Sequence, residues 1–196
     1  QNVINYAWNQ GVILVAAAGN DGNSSPLYPA AYNNVISVAN TRNNDTKAPS
    51  SQYGSTIDIA APGTNILSTV PTSSYDYASG TSMASPLVSG LLGLMKSFAP
   101  SASRQDLIDC LLNTADPMPS DQYYNNGQLG SGRINAYQAM LCLMSYTNEY
   151  DVAIGEIIMP NNTVCSGSFT PQIEIKNLGS ITLPSATITY DCDMRF

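Results

Sequence analysis

Three short apolar runs, separated by loops rich in Gly, Pro and Asn, dominate the first sixty residues. The run over residues 12–18 (VILVAAA) is continuously apolar and β-branched at its start, which predicts a strand buried on both faces. Residues 35–39 and 57–61 predict two more strands of the same kind. Residues 2–10 before them are interpreted as a helix that ends at Gly11.

Helical patterns dominate after residue 80. Residues 87–95 (LVSGLLGLM) are apolar on nearly every helical face, so we expect a helix that is buried all round. Because Pro86 cannot donate to the preceding turn, the regular helix is expected to begin around that residue. Ser103 and Asp106 have the spacing of a capping box that begins a second helix.

A further helix is predicted over residues 134–144. Strands alternating with helices predict an α/β fold with a mostly parallel sheet over residues 1–148. Residues 149–196 instead contain short β-like pieces separated by Pro, Asn and Gly, which predict the start of an all-β sandwich module.

Composition and charge exclude several classes of protein. With 43% hydrophobic and 11% charged residues, the chain is not a disordered polyelectrolyte. A net charge of −7 without a basic cluster argues against a nucleic-acid partner. No apolar run approaches the roughly 18 residues of a membrane span. Few charges among many Ser, Thr, Asn and Gly residues favour a secreted protein.

The termini bear on the extent of the chain, and the cysteines on its disulfides. The sequence begins with Gln1 inside a helical pattern and stops just after a strand-like pattern, so we expect it to be a fragment of a longer chain. The four cysteines have no metal-ligand spacing. Cys110 and Cys142 lie in helical patterns that favour buried thiols, whereas an even cysteine count also permits disulfides, including one between Cys165 and Cys192.

Candidate chemistry first appears in residues 80–86 (GTSMASP). The Ser82 hydroxyl would lie at the start of a helix, where free backbone N–H groups favour developing negative charge. Gly80 would permit close approach of another segment. Taken alone, Thr81 or Ser82 would be interpreted as a helix cap.

The second candidate is Asn20, which directly follows the first apolar run. Open α/β sheets bind ligands at the carboxyl ends of their parallel strands, and the side-chain amide of Asn20 would donate there to an oxyanion. The alternative is a turn former, because Asn before Asp-Gly is common in loops.

Together, in this order and about sixty residues apart, the two motifs resemble the subtilase family of serine peptidases. Residues 80–86 are similar to the nucleophile signature of that family, and residues 18–20 to its oxyanion-hole segment. Four further stretches also fit: residues 27–38, 51–54, 58–63 and 130–136. The resemblance covers about residues 1–144 and is greatest to the thermitase-like branch. It implies a subtilisin-like parallel sheet with helices on both faces, of which the N-terminal part is missing.

The resemblance implies a serine endopeptidase that acts on proteins or peptides by acyl transfer. Ser82 Oγ would attack the scissile carbonyl. The Asn20 amide and the Ser82 backbone N–H would hold the oxyanion, with support from Thr81. The resemblance also implies a pocket for the substrate side chain, in which a hydrophobic or aromatic side chain is expected. Five residues would line this pocket: Ala17, Ala18, Gly19, Leu27 and Gly80.

The family also implies a structural cation, although the chemistry itself requires no cofactor. The backbone carbonyls of Ala30, Tyr32 and Val35 match a site of the family for calcium, sodium or potassium. A plain tight loop is the alternative, because carbonyl ligands leave no side-chain signature.

One departure from the family is decisive for the whole interpretation: the sequence contains no histidine. The His base and the Asp that orients it are expected outside this chain, which would be inactive alone. The alternative is a catalytically dead binding protein on the subtilase scaffold. An α/β-hydrolase esterase is disfavoured because the Gly-x-Ser-x-Gly elbow is absent around Ser82. The β module would attach the enzyme to a substrate or cell surface, or act as a spacer.

Overall fold

The computed structural model describes residues 1–146, 152–159 and 172–177. The chain divides into two compact units, Gln1–Met144 and Ser145–Phe196. No helix among the described residues is long and apolar enough to cross a membrane.

A three-stranded parallel sheet in the order β1–β2–β3 lies at the centre of the first unit. Its strands are β1 (Val15–Ala17), β2 (Ile36–Thr41) and β3 (Ile59–Pro62). All six residues of β2 are buried, as the middle strand of a parallel sheet requires. The α/β prediction is therefore confirmed. However, β1 is shorter than the predicted run: the Val12 N–H donates to the carbonyl of Ala7 in the preceding helix, and the hydrogen bonds with β2 extend only from the Leu14 carbonyl to the Ala18 N–H.

The helices follow the sheet as the pattern predicts. In chain order they are α1 (Asn2–Asn9), α2 (Thr81–Phe98), α3 (Arg104–Asn113), α4 (Gln122–Asn125) and α5 (Ala136–Cys142), followed by a 3₁₀ turn at Leu143–Tyr146. The capping box is confirmed, since Ser103 Oγ accepts from the backbone of Asp106 and Asp106 Oδ2 accepts from the backbone of Ser103.

Both faces of the sheet are covered. Successive side chains of a strand point to opposite faces, so Ile59 and Ala61 pack with α2, α3 and α5 in the larger core cluster. Ala60 packs in a smaller cluster with Met118 and Leu129 on the other face.

The central helix α2 differs from expectation in two ways. It begins at Thr81 rather than near Pro86, because the first turn closes through Met83 and Ala84 N–H groups that donate to the Gly80 carbonyl. It is also not buried all round, since the three strands cover only one of its faces. Three large apolar side chains are 40–55% exposed on the other face: Leu87, Leu94 and Phe98.

Two features were not foreseen from the sequence. The strands β4 (Ile66–Val70) and β5 (Ser74–Ala78) form an antiparallel hairpin just before α2. Cys110 in α3 and Cys142 in α5 form a disulfide, with Cα atoms 5.7 Å apart, so for this pair the disulfide alternative holds rather than that of buried thiols.

The second unit contains one described pair of antiparallel strands, β6 (Val152–Met159) and β7 (Gln172–Asn177). The rest of the predicted β module over residues 149–196, including Cys165 and Cys192, lies outside the described residues.

Candidate active site

Asn20 and Ser82 are brought together by the ends of two adjacent elements. Asn20 is the third residue after β1, and Ser82 is the second residue of α2, the helix that packs on β1. Both residues are exposed. Thr81, between them in space, is completely buried. The two candidates for chemistry are thus solvent-accessible, while the residue that connects them is fixed in the core.

Two hydrogen bonds from Thr81 orient the side chain of Asn20. Its Oδ1 accepts from the Thr81 backbone N–H at 2.9 Å and from Thr81 Oγ1 at 3.1 Å. Because an N–H can only donate, the accepting atom must be the amide oxygen. Thr81 Oγ1 in turn accepts from the Gly19 N–H at 3.2 Å. The Asn20 Nδ2 group is left as the donor that faces away from Thr81.

A second donor lies at the start of α2. The first N–H groups of a helix have no intrahelical acceptor. Here Thr81 N–H donates to Asn20, and Met83 N–H donates to the Gly80 carbonyl. Among the described residues, none accepts from the Ser82 N–H or hydrogen-bonds its hydroxyl. Asn20 Nδ2 and the Ser82 N–H are therefore two donors without a protein acceptor among the described residues, beside the segment that carries the exposed Ser82 hydroxyl.

Two glycines permit this close packing. Gly80 has φ +153°, and a Cβ on it would come within 3.4 Å of both side-chain amide atoms of Asn20. Gly19 has φ +117°, and a Cβ there would come within 2.9 Å of Gln52 and Leu27 side-chain atoms. A side chain at either position would be strained by the positive φ, and at Gly19 it would also displace the side chains of Gln52 or Leu27.

Asn20 belongs to residues 19–25, which we call the oxyanion loop. This loop lies along residues 50–54. Gln52 makes three of the hydrogen bonds between them: its N–H donates to the Gly19 carbonyl at 3.0 Å, Oε1 accepts from Asp21 N–H at 2.8 Å, and Nε2 donates to the Ser25 carbonyl at 3.3 Å. Gln52 is only 3% exposed. Gln52 lies in residues 51–54, which fit the family, but nothing in that stretch indicates its hydrogen bonds to the oxyanion loop.

A buried lysine holds the turn that leads to Gln52. Lys47 Nζ donates to the carbonyls of Ala48 and Ser51 at 2.9 Å each and to that of Pro49 at 3.3 Å. It also lies over the ring of Tyr123 at 4.7 Å from the centroid. Burial lowers the pKa of Lys47, while the charge of Asp121 opposes that shift. Lys47 was likewise not identified from the sequence.

The predicted pocket residues lie from the end of β1 to Leu27, with Gly80 just before α2. Ala17 pairs with Val38 in the sheet. Ala18 is 3% exposed and packs in the smaller core cluster, so its methyl group faces the core. Leu27 is 44% exposed, and its Cδ2 lies close to Gly19. Leu27 is therefore the predicted pocket residue whose side chain is most accessible.

The predicted cation ligands line one concavity of about 440 Å³, together with a carboxylate that was not predicted. Ala30, Tyr32, Val35 and Asp58 all line it. Asp58 Oδ2 accepts from the Ser37 N–H at 2.8 Å. Burial raises the pKa of Asp58, and that hydrogen bond opposes the shift. Carbonyl and carboxylate oxygens suit hard cations. No cluster of three or more His, Cys, Asp and Glu residues occurs in the described part of the chain.

Comparison with known proteins identifies the family of the chain. Residues 1–140 match the subtilase family, peptidase S8. The chain is 50% identical over 140 residues to thermitase of Thermoactinomyces vulgaris, an alignment that covers 71% of this chain and 48% of thermitase. It is 44% identical over 139 residues to subtilisin BL of Lederbergia lenta, covering 71% and 50% of the two chains.

Solved structures give the same picture. The prenylagaramide maturation protease PagA superposes with a TM-score of 0.67 at 29% identity, covering 72% of this chain and 54% of that one. A protease from Pseudoalteromonas arctica superposes with a TM-score of 0.65 at 34% identity, covering 71% and 45%. The chain spans about half the length of the curated relatives it matches.

Proposed function

This chain belongs to the subtilase family, and from that premise we propose that it is the nucleophile-bearing part of a secreted serine endopeptidase. The observation that carries the proposal is the pair of uncommitted donors, Asn20 Nδ2 and Ser82 N–H, beside the exposed Ser82 hydroxyl. Since the chain spans about half of its relatives, the activity belongs to a longer protein that contains these residues.

In the proposed reaction, Ser82 Oγ attacks the carbonyl carbon of the scissile peptide bond and gives its proton to a general base. The negative charge on the carbonyl oxygen is held by Asn20 Nδ2 and Ser82 N–H. Collapse of the tetrahedral intermediate breaks the C–N bond, and the protonated base gives its proton to the leaving amine. Water then gives a proton to the base and attacks the ester carbonyl carbon. Collapse of this second intermediate breaks the bond to Ser82 Oγ, which takes the proton back from the base.

The base is the part of this mechanism that the chain does not contain. With no histidine among its 196 residues, the His and the Asp that orients it must come from sequence outside them. The isolated chain is then inactive, because members of a catalytic triad act as a unit. If the longer protein also lacked the histidine, the remaining interpretation would be a binding protein that keeps the scaffold.

Three further features complete the proposal. The accessible Leu27 supports a preference for hydrophobic or aromatic side chains before the cleaved bond.

The oxygen-lined concavity of Ala30, Tyr32, Val35 and Asp58 fits a structural calcium, sodium or potassium ion with no role in the chemistry. The described disulfide suits an oxidising, extracellular location, where residues 149–196 would attach the enzyme to a surface or substrate.

The proposal is tested in the complete source protein, expressed with the sequence that precedes residue 1. A fluorophosphonate probe is expected to label the wild type and Ser85→Ala, a matched control on the same helix, but not Ser82→Ala. Hydrolysis of a labelled protein substrate should follow the same order. Labelling that persists in Ser82→Ala, or a complete protein that has no histidine and no activity, would reject the proposed function.

The substrate preference is tested separately on the complete enzyme. Peptide substrates with Phe, Leu or Arg before the cleaved bond should be cut with kcat/KM highest for Phe or Leu. Highest kcat/KM for Arg would contradict the proposed pocket.

A further inference from the structure

Gln52 has a position that the proposed mechanism does not yet use. It is a buried polar residue whose side chain and backbone contact the oxyanion loop at three points: Gly19, Asp21 and Ser25. These points bracket Asn20 on both sides. Since 31 residues separate Gln52 from Asp21, the contact is a tertiary one rather than part of a local turn.

The rest of the oxyanion loop depends on this segment as well. Gly22 N–H donates to the Ser50 carbonyl at 2.7 Å, and Tyr53 N–H donates to the Asn23 carbonyl at 3.2 Å. Among the described residues outside the oxyanion loop, only Thr81 and Gln52 have side chains that hydrogen-bond it. Asn20 is therefore held from two directions, by Thr81 at its side chain and by Gln52 at the backbone that carries it.

The same side chain lies against the substrate pocket. The Cβ that Gly19 lacks would come within 2.9 Å of both Gln52 and Leu27, so these two side chains meet over Gly19. Displacement of Gln52 would move the loop that leads to Leu27 as well as the amide of Asn20.

We propose that Gln52 is a positioning residue for the oxyanion hole, which fixes the Asn20 amide through the oxyanion loop and thereby sets kcat. The inference rests on the proposed function of Asn20. Glutamine suits this role because the amide accepts from Asp21 N–H with one atom and donates to the Ser25 carbonyl with the other. An ionised glutamate lacks the donor, and leucine, of similar size, lacks both groups.

The test is a double-mutant cycle in the complete enzyme. Gln52→Leu in the wild-type background is expected to lower kcat about 5- to 20-fold, since a donor and an acceptor lose their partners, with a smaller change in KM. In the Asn20→Ala background the same substitution should leave kcat unchanged within about twofold, because the amide that Gln52 positions is no longer there.

A conservative variant separates positioning from general damage. Gln52→Glu restores the donor when its carboxyl is protonated, so the ratio of its kcat to that of the wild type should rise as pH falls toward the pKa of the carboxyl. If Gln52→Leu does not fold, the pH dependence of Gln52→Glu tests the proposal in its place. Gln105→Leu, an exposed glutamine that bonds Asp109 on α3, is the matched control and should leave kcat unchanged.

The outcomes distinguish the two proposals. If Asn20→Ala leaves kcat unchanged, the proposed oxyanion hole is wrong. If Asn20→Ala lowers kcat but Gln52→Leu lowers it by the same factor in both backgrounds, Gln52 does not act through Asn20 and the inference is overturned. A pH-independent ratio for Gln52→Glu would also overturn it.

Discussion

Thr81 holds the side-chain oxygen of Asn20 with both its backbone N–H, at 2.9 Å, and its hydroxyl, at 3.1 Å. Because Thr81 is completely buried, the amide cannot rotate without leaving two donors unsatisfied in the core. In the proposed mechanism, this relationship fixes which end of the amide faces the substrate before any substrate binds. Preorganised donors of this kind need no reorganisation as charge develops in the transition state.

Removal of the Thr81 hydroxyl should therefore loosen the amide. Thr81→Val is nearly isosteric but loses the bond to Asn20 Oδ1 and the acceptor for Gly19 N–H. In the complete enzyme we expect kcat to fall about tenfold, with little change in KM. Thr81→Ser keeps the hydroxyl and should retain most of the activity, which makes it the matched control. Equal kcat values for Thr81→Val and Thr81→Ser would show that the hydroxyl does not orient Asn20.

Direct removal of the Asn20 amide should cost more than loosening it. Asn20→Ala is expected to lower kcat about 10²- to 10³-fold, the range known for removal of an oxyanion-hole asparagine from a subtilisin. KM should change little, since the donor acts mainly on the transition state. Steady-state kinetics with a small ester and a peptide substrate provide the measurement. A fall in kcat/KM that arises from KM alone would mean that Asn20 binds substrate rather than the oxyanion.

The sequence predicted the parts of this site that are local. Ser82 and Asn20 stand at the junction of a glycine with a helix and of an apolar strand with a loop, and such junctions are visible in a single stretch of sequence. Their supports are not local. Gln52 and Asp58 bond residues 31 and 21 positions earlier, and nothing in their own neighbourhoods indicates those partners.

The same distinction explains the differences in the fold. The three strands were predicted because buried parallel strands are continuously apolar. The pairing of Cys110 with Cys142 was not, since the spacing of two helical cysteines does not show which faces meet. The helix start at Thr81 was missed because the prediction considered only the hydrogen bond that Pro86 cannot donate. The first turn of α2 is closed instead by N–H groups that precede Pro86.

The disulfide should stabilise the fold substantially. Cys110 and Cys142 are 32 residues apart, for which loop-closure entropy predicts about 3 to 4 kcal/mol of stabilisation. In the complete protein, the double variant Cys110→Ala/Cys142→Ala should unfold at lower temperature than the wild type. A reductant should lower the wild-type midpoint but not that of the double variant. Peptide mapping that finds both cysteines as free thiols would contradict the assigned pair.

A pH-dependent contribution is expected from Asp116. Hydrogen bonds from Asn135 and Arg133 lower the pKa of Asp116 below its usual value of 3.8. The folded state therefore favours the carboxylate, so the stabilisation is fully present above pH 3.8 and is lost as pH falls through the lowered pKa.

Asp116→Asn should lower the melting temperature by about 1 to 4 °C at pH 7, a modest effect because the ion pair is partly exposed. The difference from the wild type should shrink as pH falls through the lowered pKa of Asp116 and the carboxylate is protonated. Asp109→Asn, at an exposed position on α3, is the control. A difference between Asp116→Asn and the wild type that is constant from pH 2 to 7 would show that the carboxylate charge is not responsible.

The concavity of Ala30, Tyr32, Val35 and Asp58 gives the last prediction. Burial raises the pKa of Asp58, so in the absence of a cation its contribution to stability is most favourable at low pH and is lost as pH rises through the raised pKa. A bound cation would offset that cost at neutral pH. Calcium or potassium, added to protein stripped with a chelator, should then raise the melting temperature of the wild type at pH 7 by mass action.

Asp58→Asn keeps an acceptor for the Ser37 N–H but removes the charge. Its melting temperature should equal or exceed that of the stripped wild type and respond little to the cation, whereas Asp76→Asn, at an exposed position on β5, should respond as the wild type does. Equal shifts in Asp58→Asn and the wild type would place the cation elsewhere.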